Sequence, residues 1–317
     1  MGCLEVEKSN HTLINRLKKA LAIPPSGNGR DGTGIINTRY LNMIDFILNR
    51  DSCTQCGDCA GDCPSRIIVM GEDGYPAIAV EKEATCLRCE HCLSICPTGA
   101  ISILGFKAGE SRRLSGGYPD PEQLETLIKG RRSVRRYKPE NLDPELLQRL
   151  LDVAWHAPTG VNSRQVLFTV LDDKDKVAAI RDEVMNGLVR LARDGKLPKG
   201  AEYFTRFIQI WDKHKVDLIF RDAPHMLIAS APGNVASPKE DCMIALSYFE
   251  LYAQSCGVGT LWNGLAKWAI DKLLPETRQR LGIPGDHLFG YAMLFGKPAV
   301  HYARTVQHSP ALIHRAL

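Results

Sequence analysis

Eight of the eleven cysteines fall within residues 53–96, and the rest of the 317-residue chain holds only Cys3, Cys242 and Cys256. The eight form two runs, Cys53-x-x-Cys56-x-x-Cys59-x-x-x-Cys63-Pro64 and Cys86-x-x-Cys89-x-x-Cys92-x-x-x-Cys96-Pro97, repeated at a spacing of 33 residues. A secreted disulfide framework would spread its bridges through a small domain. Zinc is an alternative, but it takes four ligands as two separated pairs, and three evenly spaced thiols occurring twice fit it poorly. The pattern reads as a metal-cluster module attached to a larger, cysteine-poor body. Cys242 and Cys256 lie in apolar surroundings and read as inert core residues.

Each run matches the bacterial ferredoxin pattern in full. Three thiolates at this spacing wrap one face of an iron–sulfur cube. The fourth closes the cage from elsewhere, and in two-cluster ferredoxins it comes from the other run. The assignment is therefore Cys53, Cys56, Cys59 and Cys96 to one [4Fe–4S] cluster, and Cys86, Cys89, Cys92 and Cys63 to a second. The proline after each fourth cysteine ends the local turn and removes an N–H donor near the sulfurs. Arg88 and His91, inside the second run, are expected to be solvated side chains.

The apolar share, 44%, is that of a globular chain, and a net charge of +4 gives no argument for nucleic acid or a membrane surface as partner. No segment reads as a transmembrane helix, since the least charged stretch, 241–267, is interrupted by Glu250, Gln254, Asn263 and glycines. No secretory signal is apparent, and cluster thiolates need a reducing environment, so a cytoplasmic location is expected. Three regions are expected. Residues 1–42 are an N-terminal extension, with one short amphipathic helix (Leu13, Ile14, Leu17, Leu21) and a faint Gly27-x-Gly29 signal that reads as linker. Residues 43–107 are the ferredoxin domain, with a β-hairpin between the cysteine runs turning at Gly71-Glu72-Asp73-Gly74. After a linker, residues 121–317 form an α+β body. In that body Asp143-Pro144 caps a helix, and strands are expected at 166–171, 226–229 and 289–295, with a long helix over 239–256.

The run Arg131-Arg132-Ser133-Val134-Arg135-Arg136-Tyr137-Lys138 has five basic groups in eight residues. It can be a phosphate anchor, where guanidinium forks and a hydroxyl hold a dianion. It can also be a solvated face. Nucleic acid ranks last, because aromatic residues are not interleaved with it.

Several segments, taken in order, resemble the nitroreductase family of flavin enzymes, in its ferredoxin-fused branch. Arg131-Arg132-Ser133-Val134-Arg135 resembles that family's FMN phosphate motif. Ala157-Pro158-Thr159-Gly160-Val161-Asn162-Ser163 is similar to its flavin-ring motif, with Asn162 at the isoalloxazine edge. Asp222-Ala223-Pro224-His225 resembles the entry to the central sheet, and Gly257-Val258-Gly259-Thr260 the loop that covers the flavin. Gly290-Tyr291-Ala292 and Phe295-Gly296-Lys297-Pro298 resemble the last strand and its turn. Arg304 falls where the family returns a basic residue to the phosphate. The resemblance covers residues 43–310. The chain departs from the family at Arg164-Gln165, where Gln-Pro is usual, and at His308, where a second basic residue is common. Arg164 either stands beside the flavin or points to solvent.

The resemblance implies an α+β flavoprotein domain that binds FMN at a homodimer interface, with Arg131, Arg132, Ser133, Arg135, Pro158, Thr159, Asn162, Arg164, Gly257, Val258, Gly259 and Arg304 around the cofactor. Flavin chemistry asks little of protein acids and bases, so no catalytic residue is named. The function implied is an oxidoreductase that passes electrons from two [4Fe–4S] clusters to FMN and on to a small organic acceptor such as a nitroaromatic, a quinone or an activated C=C. The external donor would be a ferredoxin, a flavodoxin or NAD(P)H. Alternatives are an electron carrier or adaptor without a small-molecule substrate, and a reductive dehalogenase of the same fold. The segment 186–222 looks like an insertion over the flavin, and its helical stripe of Tyr203, Phe204, Phe207 and Trp211 reads as either a lid that stacks on a flat substrate or as core or subunit interface. Trp262 and Asn263 are similar candidates.

Overall fold

The computed structural model describes residues 44–316. The short N-terminal helix, Gly27-x-Gly29 and Cys3 lie outside them. The chain divides into two compact units at Tyr118/Pro119.

In the first unit, β1 (Ile47–Leu48), β4 (Ile101–Ile103) and β5 (Phe106–Lys107) form one small antiparallel sheet. The hairpin of β2 (Ile68–Met70) and β3 (Pro76–Ile78) forms another, around the turn expected from the sequence. Two short helices, α1 (Asp58–Gly61) and α2 (His91–Ile95), each carry the third cysteine of a run. Cys59 and Cys92 are buried among Ile67, Ile68, Leu93, Ile101 and Ile103, which make the core of this unit.

The backbone repeats with the sequence. Left-handed φ values occur at Gln55 (57°), Gly57 (77°) and Arg66 (51°), and again 33 residues on at Arg88 (53°), Glu90 (59°) and Gly99 (70°). The hydrogen bonds Gly61 N–H to Gly57 O and Arg66 N–H to Cys63 O recur as Ser94 N–H to Glu90 O and Gly99 N–H to Cys96 O. Only two of the six left-handed positions are glycine, so four residues hold a disfavoured conformation. The periodicity of the thiols is therefore a periodicity of main-chain geometry.

The second unit is a four-stranded antiparallel sheet in the order β6 (Leu167–Leu171), β7 (His225–Pro232), β9 (His287–Gly296), β8 (Gly259–Trp262). Both faces are covered by helices. Met226 and Ile228 of β7 and Ala292 and Leu294 of β9 face a core shared with α5 (Lys174–Arg193), α6 (Phe204–His214) and α8 (Gly264–Trp268). Leu227 and Ala229, with Met293 and Phe295, face the opposite core, built with α4 (Pro144–Ala154) and α7 (Pro238–Ser255). The two-residue period of a strand makes this division, and burial on both faces explains the unbroken apolar runs. At Gly290 the β7–β9 register slips by one residue. A Cβ there would lie 2.3 Å from the Cys242 Cβ and 2.9 Å from the Ala229 carbonyl, so the bulge lets α7 lie close against the sheet.

Asp143 caps α4 as expected: its side chain accepts from the N–H groups of Glu145 and Leu146. Strand β8 is not evident in the sequence, because four residues that start at the second glycine of a Gly-x-Gly read more readily as loop. The aromatic stripe of α6 is core. Phe204 is fully buried and stacks on Trp268 at 5.4 Å, Trp211 is buried, and only Tyr203 is half-exposed. The segment 186–222 does not begin as a separate insertion either, since α5 runs unbroken from Lys174 to Arg193.

His225 opens β7 fully buried, stacked on Phe295, and its Nε2 accepts the buried N–H of Leu142 at 2.9 Å. That bond needs an unprotonated Nε2, and burial holds the imidazole below its ordinary value. His225→Leu leaves the Leu142 N–H without its acceptor and should cost about 1–3 kcal/mol in chemical denaturation. The unfolded chain takes up a proton near 6.5 that folded His225 resists, so stability should fall as pH drops below that value. The variant should show a shallower slope there.

Candidate functional site

The eight cysteines of the two runs fall into two groups. One cavity of about 320 Å³ is lined by Cys53, Cys56, Cys59 and Cys96. A second, of about 350 Å³, is lined by Cys63, Cys86, Cys89 and Cys92. Each takes three thiols from one run and the fourth from the other, because the chain crosses over between the runs through the β2–β3 hairpin. Among the described residues no three His, Cys, Asp or Glu side chains converge on a single-ion site. The thiols instead surround a volume. Main-chain N–H groups point at several of them, among these Arg88 N–H to Cys86 Sγ at 3.4 Å and Ala100 N–H to Cys96 Sγ at 3.2 Å. Burial pushes the Cys92 thiol up to about 12. For Cys96 burial acts in the same direction but is outweighed by hydrogen bonds from the Thr98 side chain and neighbouring main-chain N–H groups, which hold it below the usual thiol value. Such donors stabilise thiolate and fit these residues to an iron–sulfur centre. His91 is exposed, as expected, and its Nδ1 lies 3.1 Å from the Asp62 carboxylate.

In the second unit the basic run follows α3 (Pro121–Gly130) and lies along the end of the sheet. Ser133 bridges to Thr260, the Val134 N–H donates to the Thr260 carbonyl at 2.9 Å, and Lys138 pairs with Lys297 through the main chain. After β9 the chain returns along this run. The Ala299 N–H donates to the Arg136 carbonyl, and the Tyr302 hydroxyl lies 3.5 Å from the Ser133 carbonyl. Exposed Arg304 follows two residues later. Arg132 is half-buried, and the exposed Arg135 donates to the Ser133 carbonyl at 3.3 Å.

Arg131 behaves differently. Its Nη1 donates to Glu250 Oε1 at 2.9 Å, and the same oxygen accepts the Thr260 hydroxyl at 3.1 Å. Glu250 is buried in α7, while the Arg131 side chain keeps about a quarter of its surface exposed (27%). The sequence held one signal for Glu250, a single carboxylate inside an apolar helix, and it was read only as an interruption.

The segment 257–260 is corrected. Val258 is buried in the core with α4 and α7, and Gly259 and Thr260 belong to β8. Only Gly257, at φ 72°, stays outside as a turn. Gly259 is needed for close approach, since a Cβ there would lie 2.5 Å from Val134 Cγ2 and 3.0 Å from Pro298. Trp262 packs edge-on to Tyr291, and Asn263 is a buried cap whose Oδ1 accepts the Ala266 N–H, so both have structural duties.

The ring-type motif is a strained turn at the other end of α7. Pro158 precedes it, and Val161, Asn162 and Arg164 have φ of 51°, 54° and 48°. A β-branched residue there is an outlier, and each such residue costs on the order of 1–3 kcal/mol. Buried Asp241, in the first turn of α7, accepts the Gly160 N–H at 2.8 Å and the Ser163 hydroxyl at 3.4 Å. Burial raises its carboxyl above the ordinary value, and these bonds oppose the rise. The Thr159 hydroxyl accepts the Arg164 N–H at 2.9 Å. Thr159, Arg164, Trp155 and Phe168 line a cavity of about 240 Å³. Arg164 therefore borders a cavity beside two aromatic rings.

The two motifs are thus joined to α7 nine residues apart, about 13 Å along its axis at 1.5 Å per residue.

With this geometry in hand, comparisons with known proteins define the class. A model described as the nitroreductase family matches residues 128–297, more than half of the chain, and a 4Fe-4S dicluster domain model matches residues 52–101. A Methanothermobacter thermautotrophicus protein named "Putative NADH dehydrogenase/NAD(P)H nitroreductase" is 23% identical over 192 residues, 59% of this chain and 83% of that protein. An uncharacterized ferredoxin of Methanocaldococcus jannaschii is 35% identical over 63 residues, 19% of this chain and 78% of that protein. A solved nitroreductase with bound FMN from Bacteroides fragilis superposes with a TM-score of 0.50 at 20% identity, covering 61% of this chain and 99% of that one, which shows the fold. The chain belongs to the nitroreductase family and is an oxidoreductase with an N-terminal ferredoxin-type 4Fe-4S domain. No helix among the described residues is long and apolar enough to cross a membrane.

Gly259→Ala should cost about 1–3 kcal/mol in chemical denaturation, because neither Val134 nor Pro298 can retreat without breaking the Ser133–Thr260 bridge. An unchanged denaturation midpoint would show that the basic run is not held in this way.

Proposed function

We propose that the protein is an FMN-dependent oxidoreductase in which electrons pass from two [4Fe–4S] clusters to FMN and then to a small organic acceptor, such as a nitroaromatic, a quinone or an activated C=C. The observation that carries this reading is the crosswise grouping of eight thiols around two cavities in a chain whose other unit is a nitroreductase-family domain. FMN, when bound, supplies the chemistry of taking electrons singly and releasing them in pairs. That property accounts for joining a one-electron carrier to a two-electron reductase. The external donor is a ferredoxin, a flavodoxin or NAD(P)H.

The protein's own part is to bind, orient and exclude water. Arg131, Arg132, Ser133, Arg135 and Arg304 hold the phosphate end. Pro158, Thr159, Asn162 and Arg164 hold the ring end, and Gly257, Val258 and Gly259 shape the floor between them through their main chain. A homodimer suits this division. The two motifs are held nine residues apart along α7, and Trp155, Val161 and Leu167 are exposed around the ring motif, where a second copy would cover them.

Anaerobic purification should yield about eight iron and eight sulfide per chain with one FMN. Cys96→Ala should lose about half of the iron and retain the flavin, because one cavity loses its fourth thiol and the other keeps all of its own. Zinc in place of iron, or a flavin-free protein with full iron, would contradict the relay.

A further inference from the structure

Three acidic residues among those described are buried, Asp217, Asp241 and Glu250, and two of them stand on α7. A buried carboxylate is costly unless paired, and replacing a buried ion pair by apolar side chains often leaves stability unchanged or improved. The packing of α7 against β7 and β9 therefore does not itself call for either acid. Each one, however, grips one of the two cofactor-type motifs. We infer that Asp241 and Glu250 are positioning residues that divide the cofactor between them, Glu250 holding Arg131 for the phosphate end and Asp241 holding the 159–164 turn for the ring end. This rests on the FMN reading above and assigns roles to two residues outside the recognised motifs.

The geometry differs at the two ends. Glu250 engages Arg131 through one nitrogen, Nη1, and is itself steadied by the Thr260 hydroxyl. The guanidinium thus spans from a buried anchor to a partly exposed surface, with its fork fixed in advance for an anion. At the other end, Asp241 binds the main chain at Gly160 and the side chain at Ser163, on either side of left-handed Val161 and Asn162. Gly160 also lies tight against α7, since a Cβ there would meet the Ser237 Oγ at 2.9 Å. A turn with two adjacent left-handed non-glycine residues persists only where its surroundings over-determine it, and Asp241 supplies two of the restraints.

FMN and riboflavin share the ring and differ in the phosphate, so their affinities for the full-length protein separate the two ends. In Glu250→Gln the Kd for FMN should rise about tenfold or more while that for riboflavin stays nearly constant, an effect of the size expected for groups that orient a ligand-binding side chain. Arg131→Lys should behave alike, and the double variant should be no worse than either single one. In Asp241→Ala both Kd values should rise by the same factor and the visible band of bound flavin should shift. Asp241→Asn, which keeps an acceptor for the Gly160 N–H, should recover most of the loss. Equal losses for both ligands in Glu250→Gln, or a lowered Tm with no change in either Kd or in the band, would overturn the inference while leaving FMN binding intact. Wild-type protein that binds neither flavin would overturn the cofactor reading and this inference with it.

Discussion

The burial of α7 between α4 and the sheet is the constraint on which the nitroreductase-family unit depends. Cys242, Ala245, Leu246, Phe249 and Ala253 fix the helix in the core, and the bulge at Gly290 lets it come close to β9. Because the helix cannot slide, whatever is attached to it is held at a set spacing. Arg131 is attached near one end and the Gly160 turn at the other. A rigid element thus sets the distance between two motifs separated by some thirty residues in sequence. Loops alone would leave that distance free.

The ferredoxin-type unit solves a different problem with little apolar material. Its core is a handful of isoleucines together with Leu93, Cys59 and Cys92. What is specified there is the direction of thiols and N–H groups, and it is specified by residues in left-handed conformation at repeated positions. Four non-glycine residues hold that conformation, so local main-chain strain is set against a small apolar core.

The cysteine repeat made the cluster module legible, because eight thiols at fixed spacing admit few structures. The long helix α7, the capped helix α4 and strands β6, β7 and β9 were legible from apolar periodicity and from Asp143-Pro144. Strand β8 was not, since a four-residue strand beginning at Gly259 carries too few residues to show alternation. The stripe of Tyr203, Phe204, Phe207 and Trp211 had the period of a helix, but a period cannot say whether a face meets a ligand or a neighbouring element. Here Trp268 and the core decide it. Asp241 and Glu250 stayed hidden for another reason. Their partners, Gly160 and Arg131, are distant in sequence, and only the packing of α7 brings them together.

The central claim is that electrons leave the clusters through the flavin. Rapid mixing of anaerobically reduced protein with a nitroaromatic acceptor, followed at cluster and flavin wavelengths, tests it directly. The relay predicts that the acceptor reoxidises the clusters quickly in FMN-loaded protein and slowly after FMN has been removed. Equal rates with and without FMN would contradict it, because the acceptor would then take electrons from the clusters directly.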